Sequence, residues 1–216
     1  MEREHEGVIK FELDYEPAPA LSAATLAPLN GWRHLLFRLR LIGQDPERYG
    51  GLGFGNLSQR LAPRDDVTAA AGFIISGTQT GGLPHLQPEH YACVLACDPR
   101  HNHVTARGPV KPSSECLTHG VLYQLDAGIH AVLHVHSPDI WRLSAELLLP
   151  TTNSSVAYGT PEMAQEVQRI YPSAQPGGVF CMGGHEDGVV AFGDTVQQAG
   201  QRLTAVLAQA FARLSD

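Results

Sequence analysis

Residues 131–137 read Ala-Val-Leu-His-Val-His-Ser, and no other run constrains the chain more. Its apolar, β-branched content predicts a strand, and side chains two apart on a strand point to the same face. His134 and His136 therefore project together, while Leu133 and Val135 face the opposite way into a core. Two neutral imidazoles held side by side on a rigid strand make half of a tetrahedral or octahedral metal site. The other ligands must come from elsewhere in the chain.

Composition narrows the classes of function. With 216 residues and 43% hydrophobic content, the chain can bury one sizeable core. The expectation is a single domain over 1–216, with 1–21 an N-terminal strand and lead-in and 22–216 the core. A net charge of −7 without any basic run argues against nucleic acid or an anionic membrane surface as partner. No stretch approaches the roughly 20 apolar residues of a membrane span, and the first residues lack a signal-peptide pattern. Cys93, Cys97, Cys116 and Cys181 form no Cys-x-x-Cys motif, which fits reduced thiols and a cytoplasmic setting.

Along the chain, residues 7–15 alternate apolar and charged like an edge strand ended by Pro17 and Pro19. An amphipathic helix is predicted from about Ser22 to Ile42 through Leu26, Trp32, Leu35, Leu36, Leu39 and Ile42. Residues 73–76 read as a buried strand and 77–82 as a polar loop. Residues 91–96 and 104–106 read as hairpin strands around Asp98-Pro99-Arg100-His101-Asn102. A helix spans 114–127 with Gly128 as its stop, and another starts at Thr160-Pro161, where threonine caps and proline fits the first turn. Residues 179–182 and 189–192 are strands flanking a glycine-rich turn that carries His185, and a last helix begins after Asp194. Strands and helices mix without regular βαβ alternation. That order predicts an α+β fold, a sandwich around a central, mainly antiparallel sheet flanked by helices.

Several other segments carry chemistry. Lys111-Pro112-Ser113-Ser114-Glu115 precedes a helical run, where unpaired N–H groups and two hydroxyls suit an anion, though a capped helix with an acidic first turn gives the same pattern. His185, in its glycine-rich turn, is free to swing onto a metal. His101 and His103 form a second His-x-His pair, expected to be solvated at a hairpin tip. His119 lies one turn after Glu115 on the same helix face, where it either orients the carboxylate or is a buried helix histidine. His5, His34, His85, His90 and His130 have no organised partners. The run Gly51-x-Gly53-x-Gly55 lies between a helix and a strand, the wrong order for a dinucleotide loop.

Taken together, Gly55-Asn56-Leu57-Ser58-x-Arg60, residues 75–81, Pro112-Ser113-Ser114-Glu115, His134-Val135-His136-Ser137 and the late His185 resemble the class II aldolase/adducin family. The pieces fall in the family's order over roughly 26–207. The resemblance implies an α/β/α sandwich, assembled as a homotetramer with sites between subunits. It implies one divalent metal ion per chain, zinc first, with manganese or cobalt as alternatives, held by His134, His136 and His185. Glu115 matches the acid/base carboxylate, which can also serve as a ligand. Asn56, Thr80, Gly81, Ser113 and Ser114 match positions that hold a substrate phosphate.

The implied activity is that of a lyase on a small hydroxy-carbonyl substrate, a sugar phosphate, by aldol cleavage through a metal-stabilised enediolate. Dehydration of a ketose phosphate and an adducin-like, non-enzymatic interaction module are the alternatives. Three departures stand out. The third histidine sits in Gly184-His185-Glu186-Asp187-Gly188 rather than Asn-His-Gly, and the two added carboxylates are expected to face solvent. The 76–81 loop is longer than usual. The tyrosine that sugar-phosphate aldolases borrow from a neighbouring subunit has no counterpart in 137–155, and Tyr158 comes only later.

Overall fold

The computed structural model describes residues 8–61, 72–175 and 177–215. Gly7 of the expected first strand, and His5, lie outside the described residues. The strands are β1 (Glu12–Pro17), β2 (Gly43–Gln44), β3 (Gly53–Phe54), β4 (Asn56–Arg60), β5 (Phe73–Ser76), β6 (Tyr91–Asp98), β7 (His103–Gly108), β8 (Ala131–His136), β9 (Val179–Cys181) and β10 (Gly188–Gly193). The helices are α1 (Ala23–Arg38), α2 (Cys116–Leu125), α3 (Pro138–Arg142), α4 (Pro161–Ala174) and α5 (Val196–Leu214).

Eight strands form one sheet in the order β1-β7-β6-β5-β4-β8-β10-β9, and β2 with β3 forms a separate small hairpin. Every pairing in the large sheet is antiparallel except β1 with β7. The expected edge strand is indeed at the edge, displaced toward the C-terminus, with Pro17 as its last residue. An edge position tolerates a proline, whose missing N–H costs no interior ladder bond.

Helices cover both faces of the sheet. Leu57, Ile74, Leu133, Val135, Val189 and Ala191 pack with Leu26, Leu29 and Leu36 of α1 and Leu203 and Leu207 of α5. Ile75, Val94, Val132, Val190 and Phe192 pack on the other face with Leu117 and Val121 of α2 and Met163 and Val167 of α4. The period-2 pattern of β8 thus sends Leu133 and Val135 to one layer and leaves His134 and His136 on the face toward α2 and α4.

Three helices begin as their caps dictate. Ser22, Thr160 and Thr195 each accept from a backbone N–H three residues on. The first helix ends four residues before the expected Ile42. Arg40 adopts the left-handed conformation at φ 59°, its N–H donates to Phe37 O, and Leu41 N–H donates to Leu36 O. This pair of bonds satisfies the terminal carbonyls as a glycine would have allowed, so no glycine marked the stop. After the turn, Leu41 and Ile42 still reach the core, which is why the apolar periodicity ran past the true end.

Candidate metal centre

His134 and His136 stand at the end of β8, and His185 sits in the turn before β10. The β10–β8 register places Gly188 opposite His136, so the turn folds back over the end of the histidine strand. The three imidazoles converge. Nε2 of His136 lies 3.2 Å from Nε2 of His134 and 3.1 Å from Nε2 of His185. All three rings are within 3% of full burial.

Burial holds all three histidines far below the ordinary imidazole value, His134 to about 3. They are therefore neutral at physiological pH, with ring nitrogens able to donate lone pairs. Two nitrogens bound to one tetrahedral ion at about 2.05 Å would be about 3.3 Å apart, close to the spacing seen. The donor set fits a divalent cation of the zinc type, and the cluster could hold such an ion.

Glu115 completes the group. It occupies the N-cap position of α2, one residue after the expected helix start, and is 1% exposed. Its Oε1 lies 3.6 Å from His185 Nε2 and 3.9 Å from His134 Nε2. Ser113 Oγ accepts from Glu115 N–H, and Ser113 N–H donates to Ser76 O, which ties the carboxylate's backbone to β5.

The other expected residues come together beside this cluster. Asn56, Thr80, Gly81, Ser113 and Ser114 line one small polar pocket with Gly53, Gly77 and Thr78. Asn56 is the β4 residue paired with His134 in the sheet register, so the pocket adjoins the imidazoles directly. The side-chain oxygen of Asn56 is buried without a hydrogen-bond partner, an acceptor or, with the amide turned, a donor. Gly81 is required by close approach: a Cβ there would fall 2.6 Å from Phe54 N.

Other sequence expectations resolve differently. His101 is exposed and bonded to Asp98, and His103 reaches Asp14 on β1, so this pair makes hairpin and edge contacts. His119 is fully buried, and its Nδ1 meets Ser58 Oγ, which also meets Tyr123 OH. It pins α2 to β4 through this bond. Glu186 is exposed, as expected of the added carboxylates, but Asp187 is not. Asp187 accepts from Tyr49 OH at 2.7 Å and pairs with Arg48 at 3.1 Å. The contact spans 138 positions, a distance across which local sequence patterns carry no signal.

Arg33 and Lys10 carry no expectation from the sequence, and Tyr158 carries no role there. Arg33 is 2% exposed and donates to the carbonyls of Thr80, Gly81 and Pro84, clamping the loop that carries two pocket residues. Burial lowers its pKa to about 10. A signal existed here: Arg33 falls on the buried stripe Leu26, Leu29, Arg33, Leu36, where a charge demands partners. The Tyr158 ring packs 4.4 Å from His185, with Lys10 Nζ 3.8 Å from the Tyr158 ring centre.

The family model for the class II aldolase and adducin N-terminal domain matches residues 47–212. The fold is similar to that of a sugar-phosphate aldolase from Thermotoga maritima, at 15% identity and TM-score 0.68, over 89% of this chain and 94% of that one. It is similar also to an L-fuculose-1-phosphate aldolase from Thermus thermophilus, at 19% identity and TM-score 0.63, over 90% and 94%. An N-terminal class II aldolase domain from Thermoplasma acidophilum aligns at 16% identity and TM-score 0.58, over 91% and 97%. No curated protein sequence matches the chain.

Proposed function

The chain belongs to the class II aldolase and adducin family, and from that premise we propose that it is a metal-dependent lyase cleaving a small, phosphorylated hydroxy-carbonyl compound. The observation that carries the reading is the convergence of three buried, neutral imidazoles on Glu115 beside a pocket lined by hydroxyl, amide and glycine backbone groups. An interaction module has no use for such a set, since burying polar groups costs stability unless a ligand repays it.

In this reading His134, His136 and His185 hold the ion. When bound, the ion supplies Lewis-acid polarisation of a carbonyl and its neighbouring hydroxyl. Ser113, Ser114, Thr80, Asn56 and the Gly81 backbone hold the phosphate and so fix the reacting carbons against Glu115. Glu115 delivers a proton to the carbon that loses its C–C bond, a task suited to a carboxylate shielded from water, while the hydroxyl of the departing half gives up its proton as it becomes a carbonyl. Zinc as the ion, a cytoplasmic home and a homotetramer go with this reading. Dehydration would call on the same ion site and carboxylate, so product analysis must separate it from cleavage.

The test begins with metal content by elemental analysis, followed by a screen of ketose and aldose phosphates. About one transition metal per chain is expected, with Glu115→Gln keeping the metal and losing about 10²- to 10⁴-fold in turnover. Full activity in that variant would remove Glu115 from the mechanism, and a protein that cannot be loaded with zinc, manganese or cobalt would defeat the lyase reading.

A further inference from the structure

We infer that Asp187, with Tyr49 and Arg48, is a positioning device that aims His136 and locks the three imidazoles into one constellation. The inference rests on the metal-site reading above and concerns residues that do not themselves reach the ion.

Asp187 makes a junction between three segments. Its carbonyl accepts from Ser137 N–H at 2.8 Å, immediately after His136. It lies two residues after His185, in the turn closed by the Gly188 N–H bond to His185 O. Its carboxylate receives Tyr49 OH and Arg48 from the segment that joins β2 to β3. One residue thus connects both histidine-bearing segments to the small hairpin.

The hairpin answers with a ring. Tyr49 packs edge-on against His136, ring centres 4.4 Å apart at 64°, and against Phe54 at 5.0 Å. Phe54 also touches His136 at 5.3 Å. His136 therefore has two aromatic walls, and the hydroxyl of one is tethered to Asp187. The Arg48 guanidinium lies over Tyr49 at 4.7 Å, hydrogen-bonds its hydroxyl and pairs with the same carboxylate oxygen.

The backbone supports the reading. Tyr49 and Asp187 both hold left-handed conformations, at φ 50° and 62°. Neither is glycine, so each strained position costs of order 1 kcal/mol and persists only where surrounding contacts require it. These two residues are bonded to each other through the Tyr49 hydroxyl and the Asp187 carboxylate. A tyrosine whose hydroxyl is committed to a carboxylate serves as a fixed wall beside His136.

The test is cobalt and zinc affinity of the metal-stripped protein, read by titration and by the visible absorption of bound cobalt. Asp187→Ala is expected to weaken binding by about 10- to 100-fold, the usual cost of removing a partner that orients a metal ligand, and to alter the cobalt spectrum. Tyr49→Phe keeps the wall and removes the tether, so it should show a smaller loss in the same direction. Glu186→Gln, next door but exposed, should bind as wild type. Thermal unfolding of the stripped variants separates misfolding from misaiming, and Tyr49→Phe decides the matter if Asp187→Ala does not fold. Wild-type affinity and spectrum in both variants would overturn the device while leaving the metal site standing. A wild-type protein that binds neither ion would overturn the site and the device together.

Discussion

The two faces of β8 are equally dry and chemically opposite. Leu133 and Val135 on one face, and His134 and His136 on the other, are all within 1% of full burial. On the first face burial is its own reward, worth roughly 1.5–3 kcal/mol for each large aliphatic side chain. On the second, beside the apolar Val132, the same burial takes two imidazoles out of water and recovers stability only through partners. The apolar face explains why the chain folds. The polar face needs partners that the apolar face does not.

That contrast can be broken residue by residue. His134→Leu makes the second face resemble the first: loss of the bound metal should be complete, while the metal-free protein keeps or gains thermal stability, since an apolar group of similar size replaces a buried polar one. A large drop in metal-free stability would mean that the histidine serves the fold. Leu133→Ala is the mirror experiment. A loss of about 2–5 kcal/mol in denaturant unfolding is expected, with metal stoichiometry intact in the folded fraction.

Smaller effects should follow farther from the imidazoles. Ser113→Ala combined with Ser114→Ala should raise KM for a phosphorylated substrate by about 10-fold, in line with about 1.5 kcal/mol for a hydrogen bond to a charged group. The KM for an unphosphorylated analogue should stay unchanged, and equal losses for both would remove the phosphate from the assignment. A separate check, at the imidazoles themselves, is a pH dependence. His119, His134, His136 and His185 have folded values depressed by burial, so below about 6.5 the unfolded chain binds more protons than the native one. Stability of the stripped protein should be full above that pH and fall as pH drops through it, with a shallower fall in His134→Leu. A flat melting temperature from about pH 7 to about pH 5 would contradict the burial of these rings.

How much of this was legible in the sequence depended on range. The alternation of β8 and the cap at Thr160 are local, and local chemistry specified them. The chain order of Asn56, Glu115, His134, His136 and His185 was also readable, because the resemblance aligned the separate pieces. What escaped was long-range or conformational. The β2–β3 hairpin has strands of two residues each, too short for any period to register, and its connection holds Tyr49, Gly50 and Gly51 at positive φ. Asp187 looked like a solvent-facing carboxylate because its partners lie far back in the chain. Arg40 ended α1 in a conformation that usually announces itself with glycine.

The pairing of Asn56 with His134 across β4 and β8 has a practical consequence. A slip of one residue in that ladder would turn every side chain of β8 over, presenting Leu133 and Val135 where the imidazoles belong. Cation uptake during renaturation would then count correctly registered molecules, a yield assay that spectra of bulk secondary structure cannot supply.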